Sequence, residues 1–296
     1  MKQPALAGTA ARPPRASALP NWLLLTPTLA VFVLFFLLPF ITMAAMSVLT
    51  GNPLTAPHVA FTTRQFDRML GDSYYAEVLW TTIRLGLSTT LVSLLIGYPL
   101  ALWLARAPGA MTRRLLMMAV LAPMMMGLVV RTFAWLAMFS NRGVINGTLS
   151  WLGLIHDPIP LLGSEGAVIV ALAHIYVPFM ILTLTGVIGR IDMRLEEAAR
   201  GLGAGRLRAF CQVTLPLSAP GILAGCLLVF ALSISAYVTP IVIGNYGVQT
   251  LPILVYQQIS ASFNIGFAAA LGIVLLLVAL VIVAAYNRAM ARVARA

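Results

Sequence analysis

Six stretches of the 296-residue chain are apolar enough and long enough to cross a bilayer. A spanning helix needs roughly 20 mostly apolar residues to cover about 30 Å of hydrocarbon at about 1.5 Å per residue. The runs are 22–48, 78–105, 115–139, 166–189, 221–244 and 266–286. The first lies in a stretch without charge between Arg15 and Arg64 and is too long for a signal-peptide core. The last two share a region with no charged side chain between Arg208 and Arg288, which places the loop 245–264 between them close to the membrane surface.

The arginines and Lys2 set the expected orientation, because positive residues in short loops are retained in the cytoplasm. With the amino terminus inside, the clusters around Arg12–Arg15, Arg106–Arg114, Arg190–Arg208 and Arg288–Arg295 are all cytoplasmic. Only Arg64, Arg68 and Arg142 then fall in outer loops. The expected architecture is an all-α integral membrane protein of six transmembrane helices with both termini cytoplasmic. A cytoplasmic tail covers 1–20, the membrane domain covers 21–287, and a second tail covers 288–296. Segment 190–220, between the fourth and fifth spans, is the longest cytoplasmic connection.

Composition agrees and removes several functions. Sixty percent of residues are hydrophobic and 9% charged, against about 25% charged in a soluble domain. The formal charge of +11 does not point to nucleic acid, which needs basic side chains clustered on a solvated face. Lys2 is the only lysine, so no glycine-rich loop can end in the Gly-Lys-Ser/Thr that cradles nucleotide phosphates, and the chain is not expected to hydrolyse ATP. Cys211 falls at the cytoplasm and Cys226 inside a span, so no structural disulfide is expected.

Segment 192–220 is rich in Leu, Glu, Ala and Arg as far as Phe210, which favours helix, with a break expected over 201–205. By base rate such a segment is a solvated surface helix. It also carries a spaced pattern: Glu197-Ala198-Ala199, three residues, Gly203, nine residues, then Val213-Thr214-Leu215-Pro216. The small residues permit close backbone approach by a partner. Glu197 and the neighbouring arginines offer charge-assisted bonds to it.

This pattern resembles the EAA loop of ABC-importer permeases, the inner-membrane components of binding-protein-dependent transport systems, departing from it only in Val213 for Ile. The resemblance implies the type I ABC-importer permease fold. It makes this segment the helix that sits in a groove of the cytoplasmic ATPase subunit, with coupling assigned to Glu197, Ala198, Ala199, Gly203 and Ala204. Leu215 and Pro216 are expected to turn the chain back toward the bilayer, since proline stops one helix and opens the next. The strings 97–108, 131–155 and 221–244 look like the spermidine/putrescine permease group. That likeness implies a multi-pass protein of the bacterial inner membrane, paired with a second homologous permease in a heterodimeric pore. It also implies an ATP-binding cassette dimer and an extracytoplasmic substrate-binding protein. No cofactor is expected on this chain; ATP and Mg belong to the ATPase. In the family the first span is a peripheral arm against the companion permease, in keeping with its uniformly apolar surface.

Polar groups inside spans are costly and therefore candidates for function. Arg84, near the outer end of the second span, is expected to snorkel to the interface. Arg131 is placed about 12 Å from the outer end of the third span at about 1.5 Å per residue. It is either an anchor between helices or a residue of the translocation path, with Trp135 one turn on. His174 and Tyr176 on the fourth span have the same two readings. The fifth span carries Ser233, Ser235, Tyr237, Thr239 and Pro240, a hydroxyl-rich stretch that either packs closely or lines a cavity. The candidate pathway residues are thus Arg131, Trp135, Tyr176, Ser233 and Tyr237. No catalytic residue and no metal site is expected, since His58 and His156 lie in outer loops without a second ligand at helical spacing.

No carboxylate lies within any predicted span. A cationic substrate would then be selected by aromatic side chains, by the companion permease or by the external binding protein. The resemblance to the spermidine/putrescine group implies a polyamine or related small organic solute as substrate, with an opine, an amino-acid derivative or a phosphonate as the alternative. A stand-alone secondary carrier would show internal repeats, paired broken spans or a buried acid, and an intramembrane enzyme would show a nucleophile with its base or a metal-binding pair. None of these stands in the sequence.

Overall fold

The computed structural model describes residues 21–50 and 60–293. The tail 1–20 with Lys2, Arg12 and Arg15, His58, and residues 294–296 with Arg295 lie outside the described residues. Every element longer than an isolated bridge is helical: α1 Asn21–Phe32, α2 Leu38–Ser47, α3 Arg64–Gly71, α4 Ser73–Ala105, α5 Ala110–Met125, α6 Leu128–Phe139 and α7 Val144–Trp151. They continue as α8 Glu165–Ile188, α9 Met193–Gly201, α10 Arg206–Ala209, α11 Leu215–Ile234, α12 Val238–Ile243, α13 Leu251–Ser260 and α14 Ile265–Val293. Among the described residues, five helices are long and apolar enough to span a membrane, or six when the bent pair of α5 with α6 and α7 is one span.

Two compact units divide the chain at Ala45. In the first, α1 and α2 join through a π turn over Val33–Leu37, and Phe32, Phe36 and Phe40 stack along one side with centroids 4.9 and 6.1 Å apart. In the second, α8 is the axis. It is apolar on all sides, so every face must meet another helix or lipid. Ser164 caps its first turn by accepting the Ala167 N–H at 3.2 Å, and Val168, Ala171, Leu172, Ile175, Met180 and Leu184 along it are fully buried.

The neighbours of α8 are α4 and α11. Asp72 opens α4 by accepting the Tyr74 N–H at 2.9 Å. Glycine sets how closely these three helices approach. A Cβ on Gly86 would stand 2.6 Å from Ile234, and one on Gly225 would stand 2.6 Å from the Met180 sulfur. At the far edge Tyr75, Val78, Leu251, Leu254, Phe267 and Leu271 form a second apolar cluster from α4, α13 and α14.

Two predicted spans differ from the straight helices expected. The third run, 115–139, is broken into α5 and α6, with a bend of 92°. Pro123 lacks the N–H that would extend the ladder, Met126 is extended at φ −78°, ψ 134°, and Gly127 follows at ψ 147°. The fifth run begins earlier than expected. One helix runs from Arg206 to Ile234, through a π turn at Phe210–Thr214 closed by the Leu215 N–H on the Phe210 carbonyl. Leu215 and Pro216 therefore do not turn the chain; the wide turn absorbs the proline, and the reversal falls at 202–205. The run then ends at Ser235 and resumes as α12.

Candidate functional site

The loop between α8 and α11 is built on one short capped helix. Asp192 accepts the Arg194 N–H at 3.0 Å and starts α9. Two bonds close its other end, from the Gly203 N–H to the Arg200 carbonyl at 3.0 Å and from the Ala204 N–H to the Ala199 carbonyl at 3.1 Å. These two bonds form a Schellman motif, in which the residue after the cap takes a left-handed conformation. Gly203 does so at φ +93°. The spacing from Ala199 to Gly203 thus has a local physical cause, and Ala199 and Ala204, the pair whose backbone groups meet, are half-buried.

The two sides of α9 differ. Glu197 and Ala198 are exposed, beside Leu195 at 51%, Leu202 at 92% and Leu207 at 76% relative exposure. The loop thus exposes large apolar side chains together with small and acidic ones. The opposite side carries Glu196, which is tied to the helix bundle. Arg106, the residue that ends α4, donates from Nη2 to Glu196 Oε2 at 2.6 Å and to Thr214 Oγ1 at 3.0 Å. Thr214 donates in turn to Glu196 Oε2 at 2.8 Å. The triangle joins α4, α9 and the π turn that opens α11.

Burial opposes the charge on Glu196, but the bonds from Thr214 and Arg106 outweigh it and hold the carboxyl below its ordinary value. The sign follows from linkage. A depressed folded pKa stabilises the folded state in full above the unfolded value of about 4.3, and that contribution fades as pH falls through the folded value. Protection of the α9 amides, taken relative to the intrinsic exchange rate at each pH, is therefore expected to be high at neutral pH and to fall below the usual carboxylate range. Glu196→Gln is expected to show low protection throughout; equal pH dependence of protection in both proteins would count against the triangle.

Within the spans the predicted candidates separate. Arg131 is 9% exposed and donates from Nη1 to the Ile175 carbonyl at 3.3 Å, one turn before Pro178, where the α8 ladder is interrupted. Its partner lies midway along α8. Ile175 is ten residues into α8, about 15 Å from its start at about 1.5 Å per residue, and the bend before α6 means that this depth comes from the partner on α8 and not from a straight third span. Trp135 donates from Nε1 to His174 Nδ1 at 3.1 Å and stacks on Phe139 at 4.9 Å. Arg131, Trp135 and His174 line one cavity of about 510 Å³ with Met126 and Met138. Arg131 Nε is buried with no hydrogen-bond partner.

Tyr176 is buried in the core around α8. Ser233 is 2% exposed and donates back to the Val229 carbonyl at 2.7 Å. Tyr237 stands elsewhere, at the gap between α11 and α12. Arg84 keeps 48% side-chain exposure and pairs with Glu165, the first residue of α8, so its head group reaches the end of that span. Among the described residues no group of three or more His, Cys, Asp or Glu could hold a metal ion.

The apolar helices are those of a multi-pass membrane protein, and the sequence gives its family. The model of the binding-protein-dependent transport system inner membrane component matches residues 97–295, and the chain belongs to that family. It is a multi-pass inner-membrane permease subunit of an ABC importer, a system in which a separate subunit hydrolyses ATP. It is 38% identical over 197 residues to the spermidine/putrescine transport system permease protein PotB of Escherichia coli (strain K12), covering 67% of this chain and 71% of that one. The protein of that name from Haemophilus influenzae (strain ATCC 51907 / DSM 11121 / KW20 / Rd) is 32% identical over 259 residues, covering 87% of this chain and 89% of its own. The fold is shared with a bacterial ABC transporter involved in the import of the acidic polysaccharide alginate. That match has TM-score 0.74 and 22% identity, and covers 92% of this chain and 95% of the other.

Proposed function

We propose that the chain forms half of the translocation pathway of a polyamine importer and is driven through α9. The observation that carries the coupling is the two-sided α9. Its outer side presents Glu197, Ala198 and the exposed Leu202 and Leu207 to a partner, while Glu196 on its inner side is bonded to Arg106 and Thr214. On this reading the cytoplasmic ATPase dimer binds ATP and Mg, closes, and pushes on α9. The Arg106–Glu196–Thr214 triangle then passes the movement to α4 and α11. Segment 190–220 and both chain termini are cytoplasmic. A second homologous permease completes the pore, and an extracytoplasmic binding protein delivers the substrate.

The substrate class rests on the spermidine/putrescine relatives. A thermal-shift screen of the binding protein encoded with this permease tests it. Stabilisation by polyamines is expected, with none by opines, amino acids or phosphonates. One observation favours the second reading: Arg131 and His174 bring donors rather than acceptors to their cavity, which suits an anionic or zwitterionic solute. Stabilisation by such a ligand alone would replace the polyamine assignment.

A further inference from the structure

The deepest carboxylates of the membrane helices are Glu77 in the first turns of α4 and Glu165 at the first residue of α8, the latter paired with Arg84. A cation passing through this subunit must be received by something else. The gap in the fifth span is where aromatic faces and helix-end carbonyls come together.

Backbone leaves the helix from Ser235 to Tyr237, between α11 and α12. Unwound backbone at membrane depth does not face hydrocarbon; it is buried in protein or lines a wet cavity. One side of the gap is buried, where Thr239 and Thr132 share a hydrogen bond of 3.0 Å that holds α12 on α6. The other side is open. Ser235 is exposed, Tyr237 is 43% exposed, and Tyr256 of α13 is 46% exposed. The two tyrosine rings stack with centroids 5.4 Å apart and planes 23° from parallel. Stacking covers one face of each ring and leaves two outer faces, each the negative side of an aromatic quadrupole.

The same place is the carboxyl end of a long helix. The continuous helix from Arg206 to Ile234 directs the negative end of its macrodipole at the gap. Ser235 Oγ reaches the Ala231 and Leu232 carbonyls at 2.9 and 3.2 Å and so marks where the last carbonyls cluster. Broken helices whose carboxyl ends hold cations are a recurrent device of membrane transport.

We infer that Tyr237 and Tyr256, with the carboxyl end of α11, form an alkylammonium site in the translocation path. The inference rests on the polyamine reading above. The site attracts an ammonium group without a fixed negative charge, so the cation is held weakly enough to leave.

The test is uptake of labelled putrescine by the assembled importer in proteoliposomes, with its companion permease, ATPase and binding protein. Tyr256→Leu is expected to lower kcat/KM for putrescine by about tenfold, the size of a desolvated cation–π contact. Because a leucine variant can fail to assemble, the second arm places phenylalanine at 256 and then its mono-, di- and trifluoro forms. These keep the shape and weaken the ring quadrupole. A stepwise fall in uptake with each fluorine supports the site, and a flat series overturns it. If the wild-type importer takes up no polyamine, the substrate reading fails and takes the inference with it. Uptake in the wild type with a flat fluorine series removes the site alone.

Discussion

Gly203→Val is expected to reduce ATP-driven uptake by the assembled importer at least tenfold and to weaken association with the ATPase. The reason is conformational and not steric. Nothing lies within 4 Å of where a Cβ at this position would sit, so crowding costs nothing. The backbone is at φ +93°, a region that a β-branched residue enters only at a cost of about 1–3 kcal/mol. Relieving that strain opens the bonds from Gly203 to Arg200 and from Ala204 to Ala199, and shifts the exposed Leu202 and Leu207 relative to α9. Gly201→Ala is the control. It too has open space around it, but it sits inside α9 at the helical end of the same turn, where alanine gains about 0.5–1 kcal/mol. Copurification of ATPase with the two variants separates the outcomes. Equal recovery from both would remove the coupling role of the motif glycine.

Arg106→Ala is the second large effect expected. It removes the guanidinium donor from a partly buried carboxylate, which keeps only the Thr214 hydroxyl, and from that fully buried hydroxyl. A charge-assisted hydrogen bond contributes about 1.5–3 kcal/mol, reduced here because Arg106 keeps 26% and Glu196 19% side-chain exposure. The functional loss should exceed the loss of stability, since α9 then touches the ATPase without gripping α4. ATP hydrolysis is expected to persist while uptake falls about tenfold or more. A double-mutant cycle with Glu196→Ala on uptake reads the coupling directly. Additive single effects would mean that the two residues act separately.

Much of the fold was legible because apolar runs of spanning length leave little choice. The fourth run, 166–189, corresponds closely to α8, Glu165–Ile188, with the Ser164 cap readable one residue upstream. The bends were less so. Pro123 with Gly127 is a visible break signal inside the third run, but hydropathy alone ran through it because both halves are apolar. Pro216 gave the opposite error. It reads as a stop, yet a π turn five residues long carries the helix across it, and a single sequence does not announce π turns.

At the loop, the EAA spacing located α9 and its glycine, while the residue that ties it to the bundle was passed over. Glu196 differs from Glu197 by one position and lies on the other side of the helix. The spacing of Asp192, Glu196 and Ala199 at i, i+4 and i+7 was the available sign. Its partners are 90 and 18 residues away, beyond what periodicity can connect. In the spans, Ser233 and Tyr237 looked equivalent as hydroxyl residues four apart. The helix end between them sends one into the core and leaves the other exposed.

The most direct measurement is uptake by proteoliposomes that contain this chain and its companion permease, with and without the ATPase, in the presence of binding protein and internal or external ATP. The account predicts transport only when the ATPase and ATP on its side are both present, and its loss on Gly203→Val. Full transport by the permease chains without the ATPase would contradict it, and would mean that the chain is a self-sufficient carrier.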